Sequence, residues 1–66
     1  MTDKQFIEKI VNHRKELGLT QKDISRITGL SQQAISSLER YDREPRLNTL
    51  LKYLEAINID IENIFK

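Results

Sequence analysis

The chain has no cysteine, no tryptophan, one proline, one histidine and two glycines among 66 residues. Without thiols there is neither a disulfide framework nor a thiolate nucleophile, and a single histidine leaves no multi-histidine metal cluster. Stability must therefore come from packing. Long apolar runs are also missing: nothing approaches the roughly 20 apolar residues that span a bilayer, and MTDKQFIEKI lacks the apolar centre of a signal peptide. A cytoplasmic location with no membrane partner is the default expectation. So short a chain is expected to form a single domain over residues 1–66, burying roughly 60% of its extended-chain surface and leaving little room for a deep cleft. No nucleophile and base stand at a workable spacing, no glycine-rich phosphate loop exists, and the carboxylates are scattered over charged faces. The expectation is a non-enzyme without cofactor or metal.

A large excess of one charge is absent too. The net charge is +1 and the sequence pI about 8.1, short of the value above about 9 that marks strongly basic nucleic-acid binders. The distribution says more than the sum. Residues 12–46 hold seven Lys or Arg against five Asp or Glu, whereas residues 53–66 hold one against three. Either the two ends face different partners, or both are ordinary solvated surfaces.

Strand signals are missing as well, since no stretch shows period-two alternation bounded by turn residues. The spacing is helical nearly throughout and predicts an all-α, compact five-helix bundle. Thr2 or Asp3 can cap a first helix whose stripe is Phe6, Ile7, Ile10, Val11 and Leu17, with Gly18 as its stop. Thr20 caps a second helix from Gln21 to about Thr28, with Ile24 and Ile27 inward. Gly29 supplies the positive φ of a sharp turn, Leu30 drops into the core, and Ser31 caps the third helix. There Ile35 and Leu38 form the apolar seam, so Gln33, Ser37 and Arg40 fall opposite, with Ser36 at the edge. A polar loop over residues 41–46 leads to a fourth helix with Leu47, Leu50, Leu51, Leu54 and Ile57, and Asn58 is a plausible left-handed stop. Asp60 can cap a final turn containing Ile61, Ile64 and Phe65. No internal repeat or low-complexity tract is visible.

Two short amphipathic helices joined by a glycine turn, the second opening on a glutamine pair, form the pattern of a helix-turn-helix with its core at residues 20–40. Such a second helix enters a major groove about 12 Å wide, and the residues near its N-terminus meet the base edges. Gln32 and Gln33 stand there. A glutamine amide offers one donor and one acceptor to the N7 and N6 amino group of adenine, while Ser36 and Ser37 can bond to several bases and allow close approach. Gln21 opens the second helix, where free backbone N–H groups and the positive dipole end favour a phosphate. Arg40, Arg43 and Arg46 follow the third helix and are candidates for further phosphate contacts, with Asp42 and Glu44 in the same loop opposing them.

Arg14 and Glu39 occupy core-facing positions, and an unpaired buried charge costs several kcal/mol. They are expected to pair and join the first helix to the third; the alternative is that Arg14 snorkels to solvent along its aliphatic stem. His13 reads as a surface residue.

From about Ile7 to Phe65 the chain resembles the Cro/C1-type helix-turn-helix family of phage repressors and bacterial regulators. The residues that carry the resemblance are Arg14, Leu19-Thr20-Gln21, Ile24, Gly29, Ser31-Gln32-Gln33, Ile35, Leu38, Glu39 and Pro45, in order and at family spacing. The resemblance implies a four- or five-helix bundle of the lambda-repressor-like type that binds operator-like double-stranded DNA, usually as a two-fold dimer. It implies the Arg14–Glu39 pair, a phosphate role for Gln21, and for Arg46 a position that some relatives direct into the minor groove. Two positions depart from the pattern. Tyr41 stands where relatives commonly have glycine, so either the third helix runs on or Tyr41 adopts a left-handed conformation. Ser25 replaces a common alanine at the crossing of helices two and three.

The expected function is sequence-specific transcriptional regulation, as a repressor on a short palindrome. Ile61, Ile64 and Phe65 either form the interface of a homodimer or only close the monomer core. Alternatives are a partner-controlled autorepressor, such as an antitoxin that also binds its toxin or a restriction-modification controller, and a protein-interaction module on the same fold.

Overall fold

The computed structural model describes residues 3–58, which form four helices and no strand: α1 Lys4–Glu16, α2 Gln21–Thr28, α3 Gln32–Arg40 and α4 Leu47–Ala56. The expected fifth element, with Asp60, Ile61, Ile64 and Phe65, lies outside the described residues, so the helix count there is four rather than five. No helix among the described residues is long and apolar enough to cross a membrane.

Three of the four helix starts are fixed by a side-chain cap, whereas α4, which opens after Arg46, has none. The Asp3 carboxylate accepts the Phe6 N–H at 2.8 Å, satisfying one of the donors that a helix N-terminus leaves unpaired. Thr20 and Asp23 form a reciprocal capping box: Thr20 Oγ1 accepts the Asp23 N–H at 3.1 Å, and Asp23 Oδ2 accepts the Thr20 N–H at 2.8 Å. Ser31 Oγ accepts the Ala34 N–H at 3.0 Å. Gly29, at φ 79°, ends α2 in the left-handed region where a side chain would be strained.

The helix ends at Tyr41 and Asn58 use the same region without glycine, at φ 55° and 57°. Of the two outcomes open for Tyr41, the left-handed one is realised. Its N–H donates to Leu38 O at 3.0 Å and that of Asp42 to Ser37 O at 3.4 Å, the paired bonds of a Schellman motif. The chain thus turns back over the last turn of α3.

The core consists of Ile7, Ile10, Ile24, Ile35, Leu38, Leu50, Tyr53, Leu54 and Ile57, drawn from all four helices and the residue after α4. Full burial of such a side chain contributes roughly 1.5–3 kcal/mol. α2 packs against both α3 and α4, and α1 against α3. Three residues expected inside are not: Leu17 is 46% exposed, Ile27 54% and Leu47 58%. Leu17 stands just beyond the end of α1 and Leu47 opens α4, so both overhang a core too small to cover them.

Ile27 is displaced for a different reason. The inward row of α2 is Gln21, Ile24, Ser25 and Thr28, mostly polar and wholly or partly buried. Ser25 Oγ donates to Leu30 O at 2.5 Å, and Thr28 Oγ1 donates to Ile24 O at 2.7 Å while accepting the Leu30 N–H at 3.1 Å. These bonds satisfy the backbone of the turn between α2 and α3 and so fix the angle between the two helices. Leu30 packs against the core as expected.

Candidate nucleic-acid interface

The junction of α1, α2, α3 and α4 is built around one carboxylate. Arg14 donates from Nε to Glu39 Oε2 at 2.7 Å and from Nη2 to Oε1 at 3.0 Å, a bidentate pair with side chains only 9% and 7% exposed. The third guanidinium nitrogen, Nη1, donates to Leu19 O at 2.6 Å. Arg14 is therefore paired and buried, and the snorkelling alternative does not apply. Gln21 Nε2 adds a bond to Glu39 Oε1 at 2.9 Å, and the Tyr53 hydroxyl adds one to Oε2 at 2.5 Å. Each carboxylate oxygen accepts two donors, and no buried side-chain polar atom among the described residues lacks a partner.

The energetics of this cluster depend on that saturation. Burial raises the Glu39 pKa, but hydrogen bonds from Arg14, Tyr53 and Gln21 outweigh it and hold the carboxyl below its ordinary range. Burial, and secondly the bond to Glu39, push the Tyr53 hydroxyl well above its usual value, so it remains a donor. The cluster ties the start of α2 to the end of α3 and both to α1 and α4, leaving the two short helices little freedom to change their relative angle.

That geometry positions the sequence-predicted readers. Gln32 and Gln33 occupy the first turn of α3 and are exposed. Ser36 and Ser37, a turn further along, are half-buried and already engaged: Ser36 Oγ accepts from Arg40 Nη1, and Ser37 Oγ donates to Asp42 Oδ2 at a long 3.4 Å. Arg40 itself folds onto Asp42 through Nε at 3.1 Å and Nη2 at 2.8 Å. Arg43 and Arg46 are exposed, and with Ala34, Ser37, Pro45 and Thr49 they border a shallow depression of about 200 Å³ beside α3. Gln21 lies at the first position of α2, half-buried, one amide hydrogen directed to Glu39 and the second left for another acceptor.

Two contributors are missing from the sequence reading. Tyr53 was passed over among the leucines of α4, although its spacing from Leu50, Leu54 and Ile57 places it on their stripe. Asp42 reads from sequence only as a charge opposing phosphate, because its contact with Arg40 depends on the reversal at Tyr41. Among the described residues no group of His, Cys, Asp and Glu is arranged to hold a metal ion.

Four helices with a rigid α2-turn-α3 unit, whose second helix shows an exposed polar face beginning in glutamines, define a helix-turn-helix module. The chain belongs to the helix-turn-helix family, whose model matches residues 10–64. Similar proteins include an uncharacterized HTH-type transcriptional regulator of Haemophilus influenzae, 35% identical over 52 residues that make up 79% of this chain and 53% of the relative. The uncharacterized HTH-type transcriptional regulator y4dJ of Sinorhizobium fredii is 44% identical over 46 residues, 70% of this chain and 60% of that protein. A third, from Methanothermobacter thermautotrophicus and described in the same terms, is 39% identical over 57 residues, 85% of this chain and 83% of the relative. The chain thus spans little more than half the length of the first two. No solved structure gives a significant match.

Proposed function

We propose that this chain is a sequence-specific DNA-binding module of a transcriptional regulator, acting as a repressor and placing α3 in the major groove of a short operator. The observation that carries the reading is the exposed pair Gln32 and Gln33 on the first turn of a helix whose angle to α2 is fixed by the buried Glu39 cluster. A reading helix needs both an adaptable polar edge and a rigid mount. The naming of three relatives as HTH-type transcriptional regulators supports the same reading.

Within it, Gln32, Gln33, Ser36 and Ser37 contact bases. Gln21 holds a phosphate with the amide hydrogen that Glu39 leaves unused, and Arg43 and Arg46 contact the backbone beside the groove, joined by Arg40 when it leaves Asp42. Two copies, associated through Ile61, Ile64 and Phe65, set their reading helices roughly 34 Å apart on one face of a palindrome. Selection from random duplexes tests the function: enrichment of a short palindrome with adenine in each half-site is expected, with affinity falling steeply as salt rises. Failure to enrich any motif would sink it. A monomer by sedimentation, both free and on the selected duplex, would remove the dimer alone.

A further inference from the structure

Arg40 ends α3 and is the cation within that helix, and all three guanidinium nitrogens have partners within the chain, through three of the five N–H donors. Nε and Nη2 both donate to Asp42 Oδ2, at 3.1 and 2.8 Å, and Nη1 donates to Ser36 Oγ. Nε and Nη2 form one edge of the fork with which an arginine can grip a phosphate. Here both converge on a single oxygen of Asp42, so the carboxylate occupies an edge that a phosphate could use.

The arrangement is built by the backbone. Left-handed Tyr41 reverses the chain, the Asp42 N–H closes onto Ser37 O, and the carboxylate is returned over the last turn of α3, where Ser37 Oγ also reaches it. The contact is exposed on both sides, 58% for Arg40 and 47% for Asp42. Water can therefore solvate either group when they part, and the pair is exchangeable in a way that Arg14–Glu39 is not. The guanidinium of Arg40 holds the Asp42 carboxyl below its usual range, so it stays ionised wherever the protein is folded near neutral pH.

We propose that Asp42 is an internal phosphate surrogate: it latches Arg40 in the free protein, so that the Nε–Nη2 edge of Arg40 reaches the DNA backbone by exchanging this carboxylate for a phosphate. The latch withholds one cation from sequence-independent association and lowers the affinity for arbitrary DNA. This inference rests on the DNA-binding reading above.

The test uses the full 66-residue chain and a labelled duplex of random sequence, titrated by fluorescence anisotropy between about 50 and 200 mM salt. Asp42→Asn is expected to tighten binding about two- to five-fold at low salt, the range of an exposed ion pair. It should also steepen the dependence of log affinity on log salt by about 0.9, one additional phosphate contact. Glu44→Gln makes the same change of charge in the same loop, at a carboxylate that accepts from the Tyr41 hydroxyl and does not sit on Arg40, whose three nitrogens go to Asp42 and Ser36; it should give a smaller gain. In an Arg40→Ala background the gain from Asp42→Asn should shrink to that of Glu44→Gln. A gain that persists undiminished without Arg40, or one that Glu44→Gln equals in the wild-type background, overturns the latch while leaving DNA binding intact. Wild-type protein that binds neither random nor selected duplex overturns the DNA-binding reading and the latch with it.

Discussion

Two carboxylates stand on either side of Arg40, and they are put to opposite uses. Glu39 points inward, accepts four hydrogen bonds and is almost wholly enclosed; Asp42 lies at the surface, where it and its guanidinium partner are both about half exposed. Both pair an arginine with a carboxylate, Glu39 through two oxygens and Asp42 through one. What differs is the medium, since the same charges interact several-fold more strongly in a protein interior than in water, and removing one member there strands the other. Burial turns one pair into a fixed joint and leaves the other as a contact that can be traded.

The sharpest way to break this contrast is Arg14→Met, which leaves Glu39 buried without its cation. A loss of about 3–5 kcal/mol is expected, large against the stability of so small a domain and readable as a steep fall in melting temperature by circular dichroism. An unchanged melting temperature would show that the pair is not a joint at all.

Acid probes the same carboxylate without a mutation. The folded pKa of Glu39 lies below its ordinary value of 4.5, so the folded state binds this proton less readily than the unfolded state. Its contribution is fully present above about pH 4.5 and is lost as the pH falls through the lower folded value. Melting temperatures should hold level through neutral pH and then drop below that point; a drop already complete at pH 6 would contradict the assignment.

Tyr53→Phe removes a single donor to Glu39 and almost nothing else. A hydrogen bond to a charged acceptor is worth about 1.5–3 kcal/mol, so urea denaturation should show a midpoint reduced by less than in Arg14→Met. The smallest effect belongs to the outer pair. Asp42→Asn should leave the melting temperature unchanged within error, and a clear loss would mean that Asp42 supports the fold instead of only occupying Arg40.

The inner joint was legible in the sequence because a charge on an apolar row demands an explanation: Arg14 follows Ile7 and Ile10, and Glu39 follows Ile35 and Leu38. The glutamine start of α3, the caps Thr20 and Ser31 and the turn at Gly29 were legible for similarly local reasons. Ile27 was misplaced because apolar spacing assumes an apolar interior, whereas α2 packs through Gln21, Ser25 and Thr28, whose polar atoms are satisfied by partners distant in the sequence or across a turn. Tyr53 was hidden by its hydroxyl, which makes a phenol look like a surface residue until a buried acceptor is found for it. The Arg40–Asp42 contact needed the backbone itself, since it follows from the sign of one φ angle at Tyr41.

The bond from Tyr53 to Glu39 also gives the molecule an optical signature. With no tryptophan and two tyrosines in the chain, its ultraviolet emission comes from Tyr41 and Tyr53 alone. An excited phenol is a much stronger acid than one in the ground state, and a carboxylate 2.5 Å from the hydroxyl oxygen is placed to take its proton. Emission from Tyr53 is therefore expected to be quenched while the joint is closed and to brighten when it opens, so the residue that ties α4 to the end of α3 would report, without any label, when that tie has come apart.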